Sequence, residues 1–462
     1  MRVRSVLLIL SLLSIVAVPA TAQVTPPAPG TPKPFEIPEA REFSLPNGMQ
    51  VTLVQYGEVP KATVQLSVRV GNVDEGPEEV WLSDVTADLM QEGTTSRSAE
   101  QIAGEAARLG GSLSMSVSAN QTTIAGIALM EFVPAMVELV ADVTLNPAFP
   151  AAPLERIKAD RSRQLSIQRS QPQSLAMEKF RSVLYPTHAY GRVFPTPEMI
   201  QGYTLNQLRT FHTANFSASR AHLYVAGRFD PAAVESAIRS AFSRWAAGSP
   251  SAPSVPTPQS TRIIYLVDQP GAVQSTIYMG VPVVDPSSPD YVALQVTNAL
   301  LGGAFASRIT SNIREQKGYT YSPVSTISSR YRDAYWAEIA DVTTNVTGPS
   351  LTEIFFEIDR LRGERPSEEE LRGIQNYLAG TFVLQNSSRN GIIGQLSFLN
   401  LHGLGRDWLD SYVQRVYAVT PDEVMRIART YIDPFRMTIV IVGDKSQIAE
   451  QIAEFGEVRL EE

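Results

Sequence analysis

The chain contains no cysteine. That excludes disulfides, thiolate zinc sites, cysteine-ligated iron–sulfur clusters and a cysteine nucleophile. Histidine is almost as scarce: His188, His212, His222 and His402 are the only four in 462 residues. No two of them have the close helical spacing of a paired-imidazole zinc site. His222 falls in an apolar run that reads as a strand, and His188 and His402 read as turn or surface positions. Positive charge is in deficit, with 39 Lys and Arg against 47 Asp and Glu and a net charge of −8. This argues against a dedicated nucleic-acid binder. A hydrophobic fraction of 44% over this length supplies cores for roughly two to four domains.

Long apolar runs are missing except at the N-terminus. There Arg2 and Arg4 precede an apolar stretch from Val6 to Val18, followed by Pro19 and Ala20-Thr21-Ala22. A basic start, an apolar centre and a small-residue end predict a signal peptide over 1–22, cleaved after Ala22. The run is short for a membrane span, and without cysteine no lipid anchor follows it. Residues 23–40 are proline-rich and read as an extended leader. A second proline-rich stretch, 248–260, carries Pro250, Pro253, Pro256 and Pro258 and reads as a linker. It divides the remainder into domains over 41–247 and 261–462, each of ordinary size.

The two halves repeat one another. Thr204, Arg220 and Gly227 are matched at one constant offset by Thr420, Arg436 and Gly443, each set running from a capped helix to an apolar strand ending at glycine. Thr420 with Glu423 forms a capping box, and Pro421 suits the first helical position. Val85 to Met90 is echoed by Val296 to Leu301. Val64, Leu66, Val68 and Val70 alternate with polar residues, and Leu113, Met115 and Val117 alternate with serines, with a return strand over Thr122 to Met130. Helices are expected over Phe132 to Val143, Leu154 to Arg169, Leu351 to Arg362 and Glu368 to Gln385, the last capped by Ser367 with Glu370. Hairpin strands with clustered helices predict an α+β fold: two homologous domains in tandem, each an antiparallel or mixed sheet with helices.

Several segments together resemble the insulinase/pitrilysin family of inverted-motif zinc peptidases. Arg41 to Leu53 resembles its opening strand, Glu92-Gly93-Thr94 with Ser98 the segment after its metal helix, and Tyr190-Gly191-Arg192 its mid-half turn. Leu301-Gly302-Gly303 with Ser307-Arg308 is similar to its C-terminal helix junction. The resemblance spans nearly all of the chain after the leader and implies an insulinase-like half-clamshell.

In active members the helix before the Gly-Thr carries H-x-x-E-H. Two histidines four apart share a helix face and ligate zinc, and the glutamate activates the bound water. Here those positions read Asp84-Val85-Thr86-Ala87-Asp88. Carboxylates replace both imidazoles, and Ala87 cannot accept a proton. The third ligand falls at Gln164, placed by matching Ser170-Gln171-Pro172 to the family's acidic-Pro turn. Loss of the base alone costs about 10²–10⁴ in rate, so this half reads as non-catalytic, with no metal. Asp84 and Asp88 lack the six to eight oxygens that calcium takes.

The substrate-holding motif of the second half survives. Arg314-Glu-Gln-Lys-Gly-Tyr-Thr-Tyr321 resembles the segment whose Arg and Tyr, seven apart, reach the peptide at the zinc. By position these are Arg314 and Tyr321. In the two-chain branch of the family, one subunit carries zinc and the other supplies this pair. The resemblance therefore implies an exported, zinc-free, non-catalytic subunit of a heteromeric metallopeptidase, with zinc in a homologous partner and an unfolded peptide as substrate. Signal and resemblance together point to the periplasm, with the extracellular space as the other destination. The rivals are a peptide-holding scaffold of the same fold, homodimeric or monomeric, a stand-alone enzyme using Asp84 and Asp88 with another metal, and an exported small-molecule binder. The hairpin-like strands argue against the last, whose folds usually alternate strand and helix.

Overall fold

In the computed structural model, which describes residues 38–461, the alternating segments become two six-stranded sheets. The signal peptide and most of the leader lie outside the described residues. The first sheet contains β1 (Ala40–Ser44), β2 (Gln50–Gln55), β3 (Lys61–Val68), β4 (Leu113–Val117), β5 (Thr122–Leu129) and β6 (Ala221–Gly227), in the order β1-β2-β6-β3-β5-β4. The second contains β7 (Ile263–Asp268), β8 (Gln274–Val283), β9 (Val324–Arg330), β10 (Asp333–Thr343), β11 (Thr438–Gly443) and β12 (Glu457–Glu461), in the order β12-β7-β11-β8-β10-β9.

Five strands of each sheet follow the same path. β2 and β6 run parallel, as do β7 and β11, and the pairings that follow are antiparallel in both sheets. The sixth strand differs: β1 pairs antiparallel with β2, while β12 pairs parallel with β7. The fold is therefore α+β, with two homologous mixed-sheet halves in tandem. Thr204 and Thr420 both cap helices, accepting from Gln207 N at 3.3 Å and Glu423 N at 3.2 Å. Ser367 does the same for Glu370 N at 3.1 Å. The helices Leu154–Arg169 and Glu368–Gln385 have the expected ends.

Two expectations need correction. The opening segment is not one strand but the hairpin β1–β2, closed by Leu45 N to Met49 O at 2.9 Å. Gly48 sits at its turn with φ +92°, a conformation that glycine tolerates and other residues resist. His402 is not a surface residue. It ends the helix Arg389–His402, is buried, and its imidazole is pulled down to about 4 by desolvation.

The linker marks a boundary in the sequence, yet the halves exchange helices across it. Helix Pro172–Leu184 of the first half packs on β8 and β11 of the second, with Phe180 against Tyr278 and Tyr335 at ring-centroid distances of 4.9 and 5.2 Å. Helix Arg389–His402 of the second half covers β3 and β6 of the first, laying Ile392, Ile393 and Leu396 on Val54, Tyr224 and Ala226. Each sheet thus buries one apolar face under the other half's helix, and the two halves form a single compact unit. Among the described residues no helix is long and apolar enough to cross a membrane.

Candidate functional site

Helix Leu82–Met90 carries Asp84 and Asp88 one turn apart, hence on one face. Its start is tightly held. Trp81 adopts φ +71°, and Glu75 accepts from Trp81 N at 3.1 Å and Ser83 N at 2.9 Å, covering two free N–H groups of the first turn. The Ser83 hydroxyl also donates to Glu75. Burial pushes the Glu75 carboxyl up to about 7 against these hydrogen bonds, and the Asp84 charge adds to the rise. Asn72 Nδ2 links Glu75 Oε1 at 3.1 Å to Asp84 Oδ2 at 2.9 Å.

The opposing helix Leu154–Arg169 supplies Gln164 and, one turn earlier, Arg161. The Arg161 guanidinium binds Asp88 in fork geometry, Nε at 2.6 Å and Nη2 at 2.8 Å. Its Nη1 reaches Asp84 Oδ1 at 3.3 Å and Gln164 Oε1 at 3.1 Å, and Nη2 reaches the Asp84 carbonyl at 3.4 Å. These contacts use the full donor complement of a guanidinium. Asp84, Asp88 and Gln164, which stand where the family's three ligands would be, therefore converge on one arginine. Ala87 sits between the aspartates on the same helix, buried. Desolvation raises the Asp84 carboxyl, opposed first by the Arg161 charge. A cleft of about 440 Å³ is lined by Asp88, Arg161 and Gln164 of this cluster and by a second arginine, Arg156, paired with Glu92 and with Asp160 at 3.2 Å.

This donor set does not suit zinc. A catalytic zinc site takes three histidine or carboxylate ligands and leaves a position open for water. Here two carboxylates and an amide are already engaged by a fixed cation. Among the described residues no group of three or more His, Asp or Glu side chains is placed to hold a metal. His222 lies in β6, as expected, stacked on Tyr224 at 4.0 Å, and burial draws it down to about 4.

The second candidate element lies in the other half. Leu301-Gly302-Gly303 closes a π-helical turn, Ala299–Gly303, and a longer one, Thr310–Gln316, carries Arg314. Such turns recur at functional sites. The segment is anchored on its inner side: Arg308 binds Glu370 in fork geometry at 2.7 and 2.9 Å, and Asn312 donates to Glu353 and Glu357 at 2.9 and 3.0 Å. Gly318, at φ +67°, turns the chain back, and Thr320 bridges to Val342 of β10. The structure brings Arg314 and Tyr321 together, with the guanidinium 4.9 Å from the phenol ring centroid. On its other side Arg314 lies 4.5 Å from the ring of Phe305. Tyr321 and Phe305 are 80% and 68% exposed and so open to a ligand, while Arg314 between them is 24% exposed, its Nε 3.2 Å from Glu315 Oε1. A guanidinium can grip peptide carbonyls and a phenol can donate to a developing oxyanion.

Beneath this segment Gly302 packs against the sheet so closely that a Cβ would stand 2.7 Å from Glu338 Oε2 and 2.6 Å from Ser325 Oγ. Glu338 is fully buried, and among the described residues neither carboxyl oxygen has a hydrogen-bond partner. Desolvation holds its pKa well above the ordinary carboxylate range. A folded pKa above the unfolded one means that stability is complete below the unfolded value and is lost as pH rises towards the folded value. Glu338→Gln removes this titration. Urea unfolding from about pH 4 to 8 is expected to show variant and wild type converging at the acid end, with the variant gaining about 1.4 kcal/mol per pH unit above the ordinary carboxyl range. Parallel pH profiles would contradict a buried unpaired carboxyl.

Arg161 and Phe305 were missed in the sequence. Arg161 stands one helical turn before Gln164, a spacing that marks it as a neighbour on that helix face. Phe305 lies inside the segment already singled out by its glycines.

Comparison with known proteins agrees with this geometry. Residues 51–198 match the family model described as insulinase (peptidase family M16), and residues 202–378 match the peptidase M16 inactive domain. An uncharacterized zinc protease of Mycobacterium leprae is 26% identical over 399 residues, spanning 83% of this chain and 87% of that protein. An uncharacterized zinc protease of Bacillus subtilis is 22% identical over 391 residues, spanning 84% and 95%. The fold is shared with a peptidase M16 inactive domain from Pseudomonas fluorescens, with a TM-score of 0.81 and 22% identity over 88% of this chain and 98% of that one. It is also shared with a protease from Helicobacter pylori, with a TM-score of 0.82 and 18% identity over 88% and 100%. The two matched regions together take in most of the chain, in the order of its two halves, and the chain belongs to the insulinase family of peptidases, M16.

Proposed function

We propose that this chain is the zinc-free subunit of an exported, heteromeric insulinase-like metallopeptidase. A homologous partner supplies the zinc, the water and the general base, and this chain positions unfolded peptide through Arg314 and Tyr321. The observation that carries the reading is a contrast within one molecule. The position of the family's metal is closed by Arg161 bound to Asp84 and Asp88, while Arg314 and Tyr321 are stacked together with the Tyr321 ring presented to solvent. The signal sequence favours the periplasm as the place of work. The relatives named as zinc proteases support a proteolytic setting.

The test is reconstitution with a homologous H-x-x-E-H chain from the same cell. Peptide cleavage should require both chains, with this chain inert alone under any divalent metal. A partner that is fully active by itself would move the chain to the scaffold role. Metal-dependent turnover by this chain alone, lost in Asp88→Ala, would establish a stand-alone enzyme.

A further inference from the structure

The Tyr190-Gly191-Arg192 turn belongs to neither site described above. It forms part of the wall of a cavity of about 350 Å³ between the two halves, lined from the first by Asn120, Gln121, Arg181 and Arg192 and from the second by Ser328 and Arg330. Three arginines therefore meet around one space, and no Asp or Glu is among its lining residues. Among the described residues none of the three has a carboxylate hydrogen-bonded to it. Arg181 Nε donates to the Tyr190 carbonyl at 2.8 Å, and Arg192 Nη2 to the Glu75 carbonyl at 2.7 Å. Arg330 lies between the rings of Tyr190 and Tyr335, at 5.3 and 5.2 Å. Its Nη1 is buried and, among the described residues, has no hydrogen-bond partner. The nearby carboxylate, Asp333, is bound by the Tyr185 hydroxyl. Burial, and next the neighbouring Arg330 charge, draw the Arg181 guanidinium down to about 10, while the burial of Arg330 itself is opposed by Tyr335, Tyr185 and Asp333, which favour its charged form.

A buried charge left without a partner is costly, and arginine forks match tetrahedral oxyanions in shape and charge. We propose that this interdomain cavity binds a small phosphate-class oxyanion, with Arg330, Arg181 and Arg192 as its cationic walls and the Asn120, Gln121 and Ser328 side chains as neutral hydrogen-bonding groups around it. The ligand joins the two halves, because its contacts come from both. The volume admits a free phosphate or the terminal group of a small phosphomonoester.

The experiment is calorimetric titration and thermal unfolding of the full chain with inorganic phosphate, against sodium chloride at equal ionic strength. Phosphate should give a saturable heat of titration, and at about a hundredfold over Kd it is expected to raise Tm by roughly 2–4 °C, rising logarithmically with concentration. Arg330→Met should abolish the rise, whatever its own Tm in phosphate-free buffer, because it removes the guanidinium whose Nη1 is unpartnered. Arg163→Met, at an exposed position, should keep the rise. Tighter binding of a phosphomonoester such as phosphoserine would identify the larger ligand, and equal or weaker binding the free ion. No heat on titrating wild type, an equal rise with chloride, or a rise that survives Arg330→Met would overturn the proposal. If Arg330→Met fails to fold, the wild-type titration and Arg192→Gln decide it in the same way.

Discussion

Arg161→Met is expected to cost about 3 kcal/mol of folding stability, read by urea unfolding at neutral pH. The residue touches two carboxylates, an amide and a carbonyl, and the charged groups are largely shielded: the Arg161, Asp84 and Asp88 side chains are 17%, 19% and 32% exposed. Removing one partner from such a cluster leaves two like charges facing each other across a helix turn. The expected cost is set at the low end for a buried pair because Asp88 retains some water. Its pH dependence has a definite sign. Without the guanidinium that opposes its rise, the desolvated Asp84 carboxyl prefers its proton, so the deficit of the variant should shrink as pH falls and grow as it rises. Adding Asp84→Asn and Asp88→Asn to Arg161→Met should recover most of the loss. A variant as stable as wild type would mean that the cluster is only surface pairing. The same cluster bears on any attempt to restore the enzyme: returning His, Glu and His to positions 84, 87 and 88 and Glu to 164 should bind zinc poorly while Arg161 remains.

Arg314→Ala and Tyr321→Phe should each lower kcat/KM of the reconstituted complex by about 10²–10³-fold, the usual effect of removing a donor at a developing oxyanion. The two should differ in kind. Tyr321→Phe keeps the ring that stacks on Arg314 and loses only the hydroxyl, so its effect should fall on kcat. Arg314→Ala also removes the guanidinium held between Phe305 and Tyr321 and should raise KM as well. Zinc content and assembly of the complex should be unchanged in both. Full activity in either variant would remove the positioning role from that residue.

The sequence made the fold legible where periodicity and capping were strong. The constant offset between Thr204, Arg220, Gly227 and Thr420, Arg436, Gly443 corresponds in three dimensions to two matching helix–strand units, with β6 and β11 in equivalent places. The opening hairpin was also available in principle, since Asn47-Gly48 is a turn signal between apolar runs. The helix exchange was not. Nothing local to Pro172–Leu184 says which sheet its apolar side will cover, because that depends on the path of the whole chain. His402 was misplaced for a related reason: a histidine near a glycine reads as a helix end at the surface, and only packing shows it buried.

The candidate site divides along the same line. Asp84, Ala87 and Asp88 could be named because a motif fixed their spacing, Gln164 because the Ser170-Gln171-Pro172 turn placed it, and Arg314 and Tyr321 because a second motif sets them seven apart. Arg161 lies 77 residues from Asp84 and, by itself, is an ordinary charge on a polar helix. Its meaning comes from the crossing of two helices. Glu338, whose carboxyl oxygens have no hydrogen-bond partner among the described residues, and Arg330, whose Nη1 has none, are similar cases: single charged residues in strands, each with an unmet group that only the folded state reveals.

The central claim is that this chain lends substrate contacts to a zinc site it does not contain. Native mass spectrometry of the tagged chain recovered from its own cell envelope tests it most directly. The account predicts a complex with a second chain of similar size and one zinc ion, which stays with that partner when the complex is dissociated. Stoichiometric metal remaining on this chain would contradict the account.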